Sequence, residues 1–238
     1  METKTEYQKI NTLFMRDSNN VIMPDMWADP TIESLADTEW EATEKVDGTN
    51  IRIIITPPPT EGAPVGVEFR GRTDAAQIPG HLLKRLEELF PVDKMTEQFN
   101  PAVRPMKDTI VLYGEGYGEK IQSGGRYVRG GADFILFDVR VGDWWLLRDK
   151  VEGIADALSI KVVPFMGYMT IPEAIEFVRR GFTSQIAADP TLPAEGLVLK
   201  TPMGLLDRTG HRIVAKVKTV DFRKLEAKQT RMNKERKA

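Results

Sequence analysis

The segment Glu44-Lys45-Val46-Asp47-Gly48-Thr49-Asn50 puts a lysine at the end of a strand-like run, with Gly48 as the breaker that follows it. Its ammonium would project from a strand edge. A lysine attacks only after losing its proton, which neighbouring cations or partial desolvation favour; Lys200, Lys216 and Lys218 are the candidate neighbours. Arg70 and Arg72 flank Gly71 at a strand end, and a guanidinium fork matches phosphate oxygens. Glu115 is bracketed by Gly114 and Gly116, which permit close approach of a ligand to the backbone, and Glu195 precedes a Gly-Leu-Val-Leu run. Such carboxylates suit hard divalent ions. Lys216 and Lys218 alternate on one strand face, where two ammonium groups can neutralise charge on a phosphate as a leaving group departs. These residue types suit a nucleotide and a metal.

Strand-like segments position them: Trp40 to Glu44, Asn50 to Thr56, Val65 to Arg70, Thr109 to Tyr113, Phe134 to Val141, Trp144 to Arg148, Val162 to Tyr168, Gly196 to Lys200 and Arg212 to Lys218, rich in β-branched and aromatic residues. Helical spacing falls at Pro79 to Phe90, Asp149 to Leu158, Ile171 to Arg180 and from Val220 onward, with Pro172 near a helix start. Strands broken by scattered helices, without βαβα alternation, predict an α+β fold on antiparallel sheets rather than a Rossmann fold. Pro57-Pro58-Pro59 with Gly62 and Pro64 predicts a long hairpin connection. No internal repeat or interdomain linker is evident, so one compact catalytic domain is expected.

Hydrophobic residues make up 41% and charged residues 29% of the 238, enough apolar content for a core and enough charge for a water-exposed surface. There is no cysteine, which excludes disulfides and thiolate metal sites. His81 and His211 are the only histidines and show no metal-ligand spacing, which argues against zinc. The N-terminus lacks an apolar signal region and no apolar run is long enough to span a bilayer, so a cytoplasmic protein without a membrane partner is expected. A net charge of −2 averages over faces, whereas the tail after Thr219 is locally basic, with Arg223, Lys224, Lys228, Arg231, Lys234, Arg236 and Lys237. That tail reads as a phosphate-contacting helix or as a solvated terminal one.

Taken in order, Lys45-Val46-Asp47-Gly48, Arg70-Gly71-Arg72-Thr73, Leu112-Tyr113-Gly114-Glu115-Gly116, Phe134-Ile135-Leu136-Phe137-Asp138, Glu195-Gly196-Leu197-Val198-Leu199-Lys200 and Val214-Ala215-Lys216-Val217-Lys218 resemble the motifs of the covalent nucleotidyltransferases. This superfamily comprises ATP-dependent DNA ligases, RNA ligases and mRNA capping guanylyltransferases. The resemblance implies an antiparallel-sheet adenylyltransferase domain in which Lys45 attacks the α-phosphate of ATP, releases pyrophosphate and carries AMP. It further implies that Glu44, Asn50, Arg70, Arg72, Glu115, Phe137, Glu195, Lys200, Lys216 and Lys218 serve the nucleotide. Arg72 is favoured over Arg70 for the ribose or a phosphate, Phe137 for stacking on adenine with Asp138 in support, and Glu115 and Glu195 for Mg²⁺ or Mn²⁺. Lys216 and Lys218 are expected to join Lys45 in catalysis.

Asn50 resembles the Lys-x-x-Gly-x-Asn pattern of RNA ligases of the phage RNA ligase 2 type, where DNA ligases place arginine; Leu13-Phe14-x-Arg16-Asp17 resembles the lead-in segment of that group. An ATP-dependent RNA ligase is therefore expected, acting on RNA or RNA-containing duplex ends that bear a 5′-phosphate and a 3′-hydroxyl. A minimal DNA ligase, a capping-type guanylyltransferase and a non-sealing binder of nucleic-acid ends are the alternatives. The expected organisation is a nucleotidyltransferase domain over residues 1–219 and a basic helix or tail over 220–238, with no separate oligonucleotide-binding-fold domain. A partner protein or domain for binding the ends is expected with it.

Overall fold

Ile51, Ile53, Ile54 and Ile55 give one segment a run of β-branched side chains that fit a pleated, packed surface. It forms the inner strand of a sheet in a structure, a computed structural model, that describes residues 5–100, 105–122 and 126–235. In chain order the elements begin with β1 (Asn11–Thr12), β2 (Phe14–Arg16), β3 (Ile22–Trp27), α1 (Pro30–Ser34), β4 (Trp40–Glu44), β5 (Thr49–Thr56) and β6 (Gly66–Arg70). There follow α2 (Gly80–Leu89), α3 (Val92–Phe99), β7 (Ile110–Gly118), β8 (Ala132–Val141), β9 (Trp144–Trp145), α4 (Arg148–Leu158) and β10 (Lys161–Val162). The last are β11 (Phe165–Met169), α5 (Ile171–Arg180), β12 (Gly196–Lys200), β13 (Val214–Lys218) and α6 (Thr219–Glu235). Arg236 and Lys237 of the basic tail lie outside the described residues.

The chain divides into two compact units. The first takes residues 1–7, 47–163 and 187–189. Its sheet has the order β10-β8-β7-β5-β6, with β9 on β8. Pairing is antiparallel except for the short β10–β8 contact. One sheet face carries Ile51, Ile53, Leu112, Phe134 and Leu136 into a core closed by Leu82 and Leu86 of α2. β5 and β6 form the hairpin that the proline-rich stretch predicts.

The second unit takes residues 8–46, 164–186 and 190–238. Its main sheet runs β1-β13-β12-β4-β11, again antiparallel apart from the two-residue β1–β13 pair, and β2 and β3 form a separate hairpin. Trp40, Ala42, Leu197, Leu199 and Ala215 face a core that Ala174 and Val178 of α5 complete. Thr170 caps α5 in a reciprocal capping box with Glu173, and Pro172 occupies its first turn. The segment resembling the family lead-in is tied to α6 by Arg16–Asp221, 2.7 Å, and Asp17–Lys228, 2.6 Å.

The antiparallel α+β class is as expected, and some boundaries are not. The strand expected over Trp144 to Arg148 stops at Trp145, because Arg148 already opens α4. The strand expected over Val162 to Tyr168 is two strands in different units, parted at Pro164, which has no N–H to give a ladder. The elements β1, β2 and α1 are too short for periodicity to announce them, while β3, which carries Pro24 and Asp25, and α3 also lie outside the expected elements.

Candidate active site

In the second unit, alternation along three adjacent strands gathers the lysines. Register pairs Gly196 with Lys218, Val198 with Lys216 and Lys200 with Val214, so Lys200, Lys216 and Lys218 share one face of β12 and β13. Lys45 extends β4 beyond Glu44, its N–H donating to the Gly196 carbonyl at 2.9 Å. Its ammonium reaches Oε2 of Glu195 at 2.6 Å, and Lys218 reaches Oε1 of the same carboxylate at 2.6 Å. One carboxylate thus holds two ammonium groups. Gly196 permits this: its φ is +151°, and a Cβ there would collide with the Val217 carbonyl oxygen. β12 and β13 therefore approach this closely beside Glu195, at the open end of their hairpin, only with glycine at this position.

Glu44 points the other way. It opposes Leu197, on the core face, and is almost wholly buried. Its carboxylate accepts from the Ser184 hydroxyl and, at 2.8 Å, from the Gln185 N–H. Burial pushes its carboxyl above the usual glutamate value, with those two hydrogen bonds working against the rise. The structure does not bring Glu44 to the lysine face; it brings it to the backbone of 184–185.

The first unit assembles a second set of residues on one face of its own sheet. Asn50 opposes Glu115, and Arg52 opposes both Tyr113 and Arg70, so Asn50, Glu115 and Arg70 share the face opposite the isoleucine core. Phe137 joins them by way of an irregularity. Tyr113 pairs with Asp138 and Gly114 with Leu136, leaving Phe137 as an extra residue in β8. Such a bulge re-aims a side chain. The Phe137 ring meets that of Tyr7 edge-on, with centroids 5.1 Å apart, and the Tyr7 hydroxyl donates to Asp138 at 2.5 Å. Phe137 and Asp138 thus lie on the same side despite being adjacent. Simple alternation leaves the orientation of Phe137 undetermined, and the bulge supplies it.

Among the described residues, Asn50 Oδ1 is buried without a hydrogen-bond partner, an expensive arrangement for an amide oxygen unless something else donates to it. Gly48 fits because a Cβ there would strike the Gly116 carbonyl oxygen. Arg70 pairs with Glu68, while Arg72 lies past the end of β6 and is exposed.

One residue that sequence reasoning missed is Arg52. Fully buried, it donates to the Gly71 carbonyl at 2.7 Å, the Thr5 hydroxyl at 2.8 Å and Asp74 at 2.7 Å. It thereby fixes the loop that presents Arg72. The available signal was a charge inside an isoleucine run. Tyr7, which holds Phe137 and Asp138, had no comparable signal.

Among the described residues, no three acidic or histidine side chains come together as a metal cage, and no helix is long and apolar enough to cross a membrane. A site offering one or two carboxylates beside phosphate groups is nonetheless the kind Mg²⁺ takes, because that ion retains water.

The RNA ligase family model matches residues 38–218. The chain belongs to the RNA ligase family. Within that family's solved structures it shares its fold with the Naegleria gruberi RNA ligase. An apo mutant of that enzyme matches with a TM-score of 0.56 and 17% identity, covering 95% of this chain and 61% of the other. A mutant with ATP and Mn matches with a TM-score of 0.56 and 18% identity over 93% and 60%. The form with PPi gives 0.55 and 18% over 91% and 62%. This family member therefore spans about three fifths of the length of those chains. No curated protein sequence matches it.

Proposed function

We propose that the chain is an ATP-dependent RNA ligase that works through a lysyl-adenylate on Lys45. The observation that carries this reading is the Lys45–Glu195–Lys218 arrangement, with both ammonium groups 2.6 Å from one carboxylate. That carboxylate holds the Lys45 amine in place. The amine gives up its proton to water, and Lys45 Nζ forms a bond to the α-phosphorus of ATP while the bond to pyrophosphate breaks. Lys218 and Lys216, on the same face, stabilise the negative charge that develops on the phosphate oxygens.

In the second step an oxygen of the RNA 5′-phosphate attacks the lysine-bound phosphorus and the P–N bond breaks, giving an adenylylated end. In the third a 3′-hydroxyl attacks that 5′-phosphate and AMP departs. Arg72 and Arg70 are assigned to phosphate or ribose, Phe137 to the adenine ring, and the orphaned Asn50 oxygen to a donor on the nucleotide or strand end. Glu44 serves by holding the 184–185 backbone. Glu115 and Glu195 would hold Mg²⁺ or Mn²⁺, which when bound neutralises phosphate charge. Residues 1–219 are assigned to the nucleotidyltransferase domain and the helix from 220 onward to contact with the strand. Binding of the ends is assigned in part to a partner protein or further domain.

The test is sealing. Wild type with ATP and Mg²⁺ should convert a 5′-phosphorylated, 3′-hydroxyl RNA into joined or circular product, and Lys45→Ala should yield none. Product from DNA ends but never from RNA ends, or labelling by GTP in place of ATP, would contradict the assignment.

A further inference from the structure

The second unit exposes two aromatic rings side by side on the edge strand β11. Phe165 is 40% and Tyr168 56% exposed, and their ring centroids lie 5.1 Å apart at an interplanar angle of 69°. Three positions apart on a regular strand, they would point to opposite faces. The register shift between Phe165 and Gly167 puts them on the same one, Phe165 opposing Thr43 and Tyr168 opposing Glu41. Their neighbours Met166 and Met169 face the core, and the two rings stand on the opposite face of the sheet.

Rows across the sheet show what the rings stand beside. From Phe165 the row continues through Thr43 and Val198 to Lys216; from Tyr168 it passes through the nearly buried Glu41 to Lys200. The rings therefore share the face of Lys45, Lys200, Lys216 and Lys218. One strand spacing across and two residues along place the Phe165 Cα about 8 Å from that of Lys45. Exposed rings bordered by ammonium groups are what single-strand binders use, the rings for bases and the cations for phosphates.

We propose that Phe165 and Tyr168 form a stacking platform for bases adjoining the RNA end that is joined at Lys45. The identity of the strand as RNA rests on the ligase reading; the platform itself rests on the sheet register. The test compares wild type with Phe165→Ala, Tyr168→Ala and the ring-conserving Phe165→Tyr and Tyr168→Phe. Two readouts are taken: the rate of AMP attachment from ATP and Mg²⁺, and the affinity for a fluorescent 5′-phosphorylated single-stranded RNA by anisotropy.

The alanine variants should take AMP at the wild-type rate, which also shows that they fold, and bind RNA about tenfold more weakly. The ring-conserving variants should bind as wild type does. Unchanged RNA affinity in both alanine variants would overturn the platform, as would equal losses in the ring-conserving pair. Loss of self-association in sedimentation velocity with RNA affinity intact would assign the rings to a second copy of the chain instead. A wild type that takes no AMP would sink the ligase reading, while the RNA-binding arm would still decide the platform.

Discussion

Glu44 and Lys45 are adjacent and meet opposite environments, because β4 turns one to the core and the other to the lysine face. With burial raising its folded-state value, Glu44 holds its proton more tightly in the folded chain than in the unfolded one. Its stabilising contribution is therefore full below the ordinary glutamate pKa, about 4.3, and is lost as pH rises through the raised value. Glu44→Gln keeps an acceptor for the Gln185 N–H and removes the titration. The melting temperature of wild type should accordingly fall relative to that of Glu44→Gln as pH rises from about 4 to about 7; a constant gap would contradict the burial argument. At this scale the sequence was informative about residue type and less so about direction. The Lys-x-Asp-Gly segment marked Lys45, whereas the nucleotide role that the resemblance implied for Glu44 falls on a side chain that strand alternation turns to the core. Phe137 was legible as an aromatic beside Asp138, and only the bulge decides where it points.

At the scale of elements, four side chains tie the first unit's strands to a helix. Asp133 of β8 accepts from Lys161 of β10 at 3.0 Å and from Arg85 of α2 at 3.3 Å, and the Tyr117 hydroxyl of β7 donates to it at 3.3 Å. Burial opposes charge on Asp133, yet the hydrogen bond and charge of Lys161, with Arg85, hold its carboxyl below the usual range. Burial, helped by that carboxylate, pushes the Tyr117 phenol up to about 12. Asp133→Asn should cost about 1–3 kcal/mol at neutral pH by denaturant unfolding. Because the folded-state value is lowered, the cost should shrink as pH falls from the ordinary aspartate range through that value. A pH-independent loss would mean that shape, not charge, holds these elements. Strands with long β-branched runs, such as β5, were readable from sequence. The two-residue strands were not, because their pairing depends on neighbours remote in the chain.

Across the whole molecule, a net charge of −2 conceals a face with four lysines. RNA affinity should fall with salt, and Lys200→Ala should make the slope of log affinity against log salt shallower by about 0.7 if that lysine neutralises one phosphate of a single strand. An unchanged slope would remove Lys200 from the phosphate contacts. The order of motifs was legible because each combines a charged residue with a glycine or a strand of fixed period. The division into two units was not, since it depends on which distant segments pair. The most direct measurement is intact mass after incubation with ATP and Mg²⁺, taken on protein first freed of bound AMP. Wild type should gain one AMP and Lys45→Ala none; no gain in wild type, or an equal gain in both, would contradict a lysyl-adenylate on Lys45.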